Sequence, residues 1–189
     1  AVYRLLSEIS CLPKLFGFDL EKGIKISFDL GSSTLTQKLI NSMTAEQKVI
    51  VMFRLLKCMR SSASQGLIHC DLKPQNTVIS RNGNIQIIDW GLAEIDKTKG
   101  QVIKKHTNIQ TLWYRGPEIL VARIKDQRLD KYTNKIDIFS LGLIFFEILV
   151  GHVLVGEDND EEQYNILRGI LLGSDYKKLD PFVEDSVYH

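Results

Sequence analysis

A chain of 189 residues is long enough to bury one substantial core. Twenty-four Lys and Arg balance 23 Asp and Glu to a formal charge of +1, which gives no electrostatic case for a nucleic acid or a membrane surface as partner. The three cysteines, Cys11, Cys58 and Cys70, are unevenly spaced in a chain too large to need staples, so a reducing compartment is expected.

Val2, Leu5, Leu6 and Ile9 recur at helical spacing and predict a first helix. The start lacks a basic stretch followed by an apolar core, so no secretory leader is expected. Leu15 to Phe18 and Ile24 to Leu30 read as two strands, turning at Glu21, Lys22 and Gly23. Thr44 is a helix N-cap, and Gln47 completes a capping box. Val49, Met52, Phe53, Leu56 and Met59 are assigned to that helix's core face, with its end near Ser61 and Ser62.

Leu67 to Ile79 carries the chemistry. Leu67 and Ile68 lead into His69, Asp71, Lys73 and Asn76, and Thr77, Val78 and Ile79 close the stretch. The pattern is strand, polar loop, strand. Pro74 stiffens the loop at a position where its missing N–H costs no ladder bond. Asp71 can accept a hydroxyl proton, Lys73 can steady negative charge, and Asn76 offers a carbonyl oxygen to a hard cation. A second carboxylate, Asp89, follows the β-type run Asn84 to Ile88. These are the parts that phosphoryl transfer requires, because that reaction is mostly positioning and charge neutralisation. His69, Cys70 and Asp71 as metal ligands are disfavoured, since adjacent residues at a strand end rarely aim at one ion. Reading each Asp as an ordinary turn residue leaves Lys73 and Asn76 unexplained.

Glu94 to Thr111, with Lys97, Lys99, Lys104 and Lys105, is expected to be an exposed loop, and Val121 to Asn134 another polar stretch. Ile136 to Val150 is broken by Asp137, Ser140 and Glu147 and is too short for a bilayer, so it reads as a buried helix. Gly156 to Asn159 is a loop, and Glu161 to Leu172 a further helix. Asp180 to His189 shows no pattern.

The stretch His69-Cys70-Asp71-Leu72-Lys73-Pro74-Gln75-Asn76 resembles the catalytic loop H-R-D-L-x-x-x-N of eukaryotic protein kinases, with Cys70 for Arg. Asp89-Trp90-Gly91 resembles D-F-G, Gly116-Pro117-Glu118 resembles A-P-E, and Asp137-Ile138-Phe139-Ser140-Leu141-Gly142 resembles the start of the family's buried central helix. The features together are similar to the cyclin-dependent, mitogen-activated and casein kinase 2 group.

That resemblance implies an α+β protein-kinase-like fold. Residues 1–33 would be a remnant of the β-rich N-terminal lobe, and 34–189 a mainly helical C-terminal lobe. It implies Ser/Thr phosphorylation with ATP and Mg²⁺. Asp71, Lys73, Asn76 and Thr111 would be catalytic, Asn76 and Asp89 would hold the metal, and Phe28, Asp29, Gly31, Val78 and Asp89 would contact the nucleotide. In the family the residue matching Asp137 braces the catalytic loop; an N-terminal Asp could otherwise serve only as a cap favoured by the helix dipole. Protein substrates and a regulatory subunit are the implied partners, with no nucleic acid and no membrane, in the cytoplasm or nucleus.

No G-x-G-x-x-G run occurs in the sequence, and the third-strand Lys has no counterpart, so part of a kinase domain is expected. The alternative is a pseudokinase-like scaffold without phosphoryl transfer. Cys70 removes the Arg that receives the activation-loop phosphate in relatives. A phosphate at Thr107 is therefore expected to matter little unless Arg115 or Lys104 takes over that role.

Overall fold

The computed structural model describes residues 10–12, 15–19, 23–26, 32–96, 108–127 and 132–173. The helix predicted over Val2–Ile9 lies outside them, as do Phe28, Asp29, Gly31, Lys104 and Thr107. Two strands, β1 (Leu15–Asp19) and β2 (Gly23–Ile26), pair antiparallel as expected, with Asp19 opposite Gly23. A three-stranded antiparallel sheet follows, β3 (Ser33–Thr34) against β5 (Thr77–Ile79) against β6 (Ile85–Ile87). A two-residue strand, β4 (Leu67–Ile68), pairs with β7 (Glu94–Ile95).

The described helices are α1 (Gln37–Ser42), α2 (Ala45–Ser64), α3 (Pro117–Ile124), α4 (Lys135–Val150) and α5 (Asp160–Leu171). The capping box forms at α2: the Gln47 N–H donates to Thr44 Oγ1 at 3.2 Å, and the Thr44 N–H to Gln47 Oε1 at 2.9 Å. The predicted face of α2 is corrected. Val51, Leu55, Cys58, Met59 and Ser62 are buried, whereas Val49, Phe53 and Leu56 are 57%, 61% and 48% exposed. Apolar residues spread around much of α2, so spacing alone admits two stripes. Packing against α4, β4 and β6 selects one of them.

Helix α4 carries the centre of the core, with Ile136, Leu141, Leu143, Ile144 and Ile148 buried. Each such side chain contributes about 1.5–3 kcal/mol through burial. Gly151, at φ 95°, ends the helix in a left-handed turn, its N–H bonded to Glu147 O at 2.8 Å.

Three further expectations are corrected. Helix α3 includes Val121–Ile124, because Arg123 turns back to pair with Asp160 rather than entering a polar loop. The stretch after Glu94 is not wholly exposed: β7 pairs with β4, and Ile109 and Gln110 are buried. The staple-free expectation fails as well, since Cys11 and Cys58 form a disulfide, Cα atoms 5.8 Å apart. Packing places them together. The Ile87 N–H donates to Cys11 O at 3.1 Å, and Leu12 is fully buried, which seats this segment against α2. Among the described residues no helix is long and apolar enough to cross a membrane.

Leu55→Ala is expected to lower stability by about 2–5 kcal/mol through a core cavity. Phe53→Ala is expected to stay within about 0.5 kcal/mol, as a substitution away from the core does. Denaturant midpoints of the two variants check this, and reversed costs would restore the face read from spacing.

Candidate active site

Strand β4 is buried at both residues and delivers the chain to the loop at His69. There the backbone turns sharply, with Cys70 at φ 66°. Asp137, in the first turn of α4 and 1% exposed, holds that turn. Its Oδ2 accepts from the His69 N–H at 2.6 Å and its Oδ1 from the Cys70 N–H at 3.0 Å. Burial pushes the Asp137 carboxyl up to about 7, while the two N–H donors pull the other way. The geometry serves the ionised form, because a proton on either oxygen would face an N–H.

His69 is fully buried. Its Nδ1 accepts from the Asp71 N–H at 3.2 Å, so Nε2 carries the proton and donates to Ile88 O at 2.9 Å. Desolvation lowers its pKa and keeps the ring neutral. Both nitrogens are occupied, which removes His69 as a metal ligand. The ring meets Trp90 edge-on at 4.6 Å, and Trp90 Nε1 donates to Ile87 O at 2.8 Å. A Phe at this position, as in D-F-G, has no such donor.

Three expected site residues close into a triangle. Lys73 Nζ lies 3.0 Å from Asp71 Oδ2 and 2.8 Å from Thr111 Oγ1, and Thr111 Oγ1 donates to Asp71 Oδ1 at 2.7 Å. Asn76 joins from behind: its Nδ2 donates to Asp71 O at 2.9 Å. That leaves Oδ1 as the atom free to face a cation. The Ile88 N–H donates to Asn76 O at 2.9 Å, which places Asp89, one residue on, beside the same loop. Asp89 is exposed, at φ 60°. An amide oxygen and a carboxylate fit Mg²⁺, which takes one or two carboxylates and completes its shell from phosphate and water. Val78, half-buried on β5, lines a cavity of about 90 Å³ with Ser32 and Gln86.

The sequence does not single out Tyr114 or Gln110 as participants. Tyr114 donates to Glu147 Oε2 at 2.6 Å inside the core. Arg115, considered as a phosphate acceptor, is 7% exposed and already engaged by Asp160, which also accepts from Arg123 Nε at 2.7 Å. Gln110 is buried beside the loop. These pairings join distant parts of the chain, and no local spacing marks them.

The loop architecture is that of a protein kinase, and residues 18–185 match the family model of the protein kinase domain. The chain belongs to that family. Among its relatives, cyclin-dependent kinase 20 of Danio rerio is 33% identical over 167 residues, covering 86% of this chain and 46% of the relative. Mitogen-activated protein kinase 4 of Oryza sativa subsp. japonica is 33% identical over 130 residues, 68% of this chain and 33% of the relative. The chain thus spans less than half the length of these relatives. The fold is similar to a solved structure, the yeast RNA Pol II CTD kinase CTDK-1 complex. There the TM-score is 0.71 at 22% identity, over 86% of this chain and 53% of that one.

Cys70 is free and fully buried, and desolvation pushes its thiol pKa far up. Of the three cysteines, alkylation of the native protein is expected to modify none. Unfolding without reduction should expose Cys70 alone, and reduction should add Cys11 and Cys58. Peptide mass mapping checks this, and Cys70 modified in the native protein would contradict its burial.

Proposed function

We propose that the intact protein is an ATP-dependent protein kinase acting on Ser or Thr hydroxyls. The observation that carries the reading is the Asp71–Thr111–Lys73 triangle beside Asn76 Oδ1 and Asp89. Asp71 orients the substrate hydroxyl and takes its proton as the oxygen bonds to the γ-phosphorus and the bond to the leaving nucleoside diphosphate breaks. Lys73 steadies the charge on the transferred group. Thr111 keeps Asp71 and Lys73 in register, so neither ammonium nor carboxylate swings to solvent. Asn76 and Asp89 would hold Mg²⁺, which when bound neutralises phosphate charge.

In this reading residues 1–33 belong to the nucleotide-covering lobe, where Phe28, Asp29 and Gly31 would contact the nucleotide, and 34–189 to the lobe that carries the chemistry. Val78, on β5, would contact the nucleotide. A scaffold without phosphoryl transfer has no physical need for the assembled Asp71, Lys73, Thr111 and Asn76. The yeast kinase was solved as a complex, which supports a regulatory subunit as partner. We place the protein in the cytoplasm or nucleus, where ATP and protein hydroxyls meet. The Cys11–Cys58 bridge counts against that placement, and its redox state in cells is the direct check.

In the full-length protein, Asp71→Asn is expected to lower phosphoryl transfer about 10²–10⁴-fold, the usual worth of a general base, with nucleotide affinity retained. Asp89→Asn should abolish transfer together with Mg²⁺-dependent nucleotide binding. Thr111→Val keeps the shape and loses both hydrogen bonds, so it should lower kcat more than the KM for ATP. Radiolabel transfer and nucleotide titration decide. Transfer that survives both Asp substitutions would show that the chemistry lies elsewhere.

A further inference from the structure

Gln110 takes no part in the chemistry above, yet it touches most of what positions that chemistry. It is 4% exposed and sits at φ 60°, a left-handed conformation that a non-glycine residue keeps only when its surroundings over-determine it. Its N–H donates to Cys70 O at 2.7 Å, in the catalytic loop. Its carbonyl accepts from Arg115 Nη2 at 2.7 Å. The side-chain Nε2 donates to Ile136 O and Ser140 Oγ, both at 2.9 Å, on α4. Its Oε1 accepts from the Gly116 N–H at 3.0 Å. The amide can point only one way, since reversing it would set oxygen against the Ile136 carbonyl and nitrogen against the Gly116 N–H. Ser140 extends the chain of bonds, its Oγ donating to Tyr114 O at 2.7 Å.

One side chain therefore ties the start and the end of the 110–116 segment to α4, while its backbone ties the same segment to the catalytic loop. Thr111, the next residue, is the one that bonds Asp71 and Lys73. Cys70 bears on the same question. It is neutral, buried and bonded to Tyr132, so it offers no cationic acceptor for a phosphate on the preceding loop. Arg115 is committed to Asp160 and to the Ile109 and Gln110 carbonyls. The restraint that a phosphate would supply through an arginine is already made internally.

We propose that Gln110 is a positioning residue that clamps the 110–116 segment onto α4 and the catalytic loop, so that Thr111 meets Asp71 and the protein substrate's docking surface forms without phosphorylation. The proposal rests on the kinase reading. Its chemistry demands an amide, because a donor toward Ile136 and Ser140 and an acceptor toward Gly116 must sit on one planar group.

The test uses the full-length protein after phosphatase treatment, at a temperature where near-ultraviolet circular dichroism shows every variant folded. Gln110→Met keeps the length and removes the polar atoms. Its kcat for a peptide acceptor is expected to fall at least about ten-fold, as for a small misplacement of reacting groups, while its affinity for Mg·ATP stays within about two-fold of wild type. Gln110→Glu keeps the acceptor and loses the donor when ionised. Protonated, its carboxyl is donor and acceptor like the amide, so the ratio of its turnover to that of wild type should rise as pH falls. A role in folding alone predicts no such recovery. Peptide turnover by Gln110→Met within about two-fold of an active wild type overturns the clamp. So does a loss matched by loss of nucleotide binding, a pH-independent ratio for Gln110→Glu, or a wild type that works only when phosphorylated. A wild type that transfers phosphate to no acceptor under any treatment overturns the kinase reading itself, which separates the two failures.

Discussion

A single buried carboxylate sets the geometry on which the site depends. Asp137 accepts the N–H groups of His69 and Cys70, which satisfies both donors away from water. Two backbone N–H groups left unpaired in the core would each cost about 1–3 kcal/mol. The turn therefore forms where α4 presents its first-turn Asp. Everything downstream inherits that placement: the His69 ring against Trp90, the Asp71 side chain at the loop's edge, and Asn76 bonded back to Asp71. The most hydrophobic of the described helices thus carries the polar atom that organises the reactive loop.

The interior around this anchor is polar but satisfied. Ser140, Gln110, Tyr114 and Glu147 form a connected set behind the loop, and Asp160 gathers Arg115 and Arg123 at the start of α5. Such networks add little net stability for each bond, yet they penalise any packing that breaks them. Cys70 fits the same logic. With a thiol against Tyr132 in place of a guanidinium, the loop is held by uncharged contacts and by Asp137. Its order is a property of the fold rather than of a modification.

Sequence reading succeeded where the signal is local. The capping box at Thr44 and Gln47 needs only a three-residue spacing, and it forms. The strand–loop–strand reading of Leu67 to Ile79 rests on short-range alternation and on Pro74, and both strands form around the loop. Failures came where tertiary partners decide. The buried face of α2 is chosen by α4 and β6, not by the helix's own periodicity. Cys11 and Cys58 stand 47 residues apart, and no pattern announces their pairing. Gln110 lies at the end of a polar, basic run and looked solvated, although every polar group it has is bonded in the core. Buried polar residues are the hardest to read, because what makes them tolerable is their partners.

We infer that the His69–Asn76 loop is preformed, held by Asp137 without ligand or phosphate. Native-state hydrogen exchange at the His69 and Cys70 amides of the unmodified, nucleotide-free protein tests it most directly. If the loop is preformed, both amides exchange only through global unfolding, with the same opening free energy as the core amides of α4. Exchange of these two amides through local fluctuations, far faster than α4, would contradict it and would mean that the loop is organised only when substrate or nucleotide arrives.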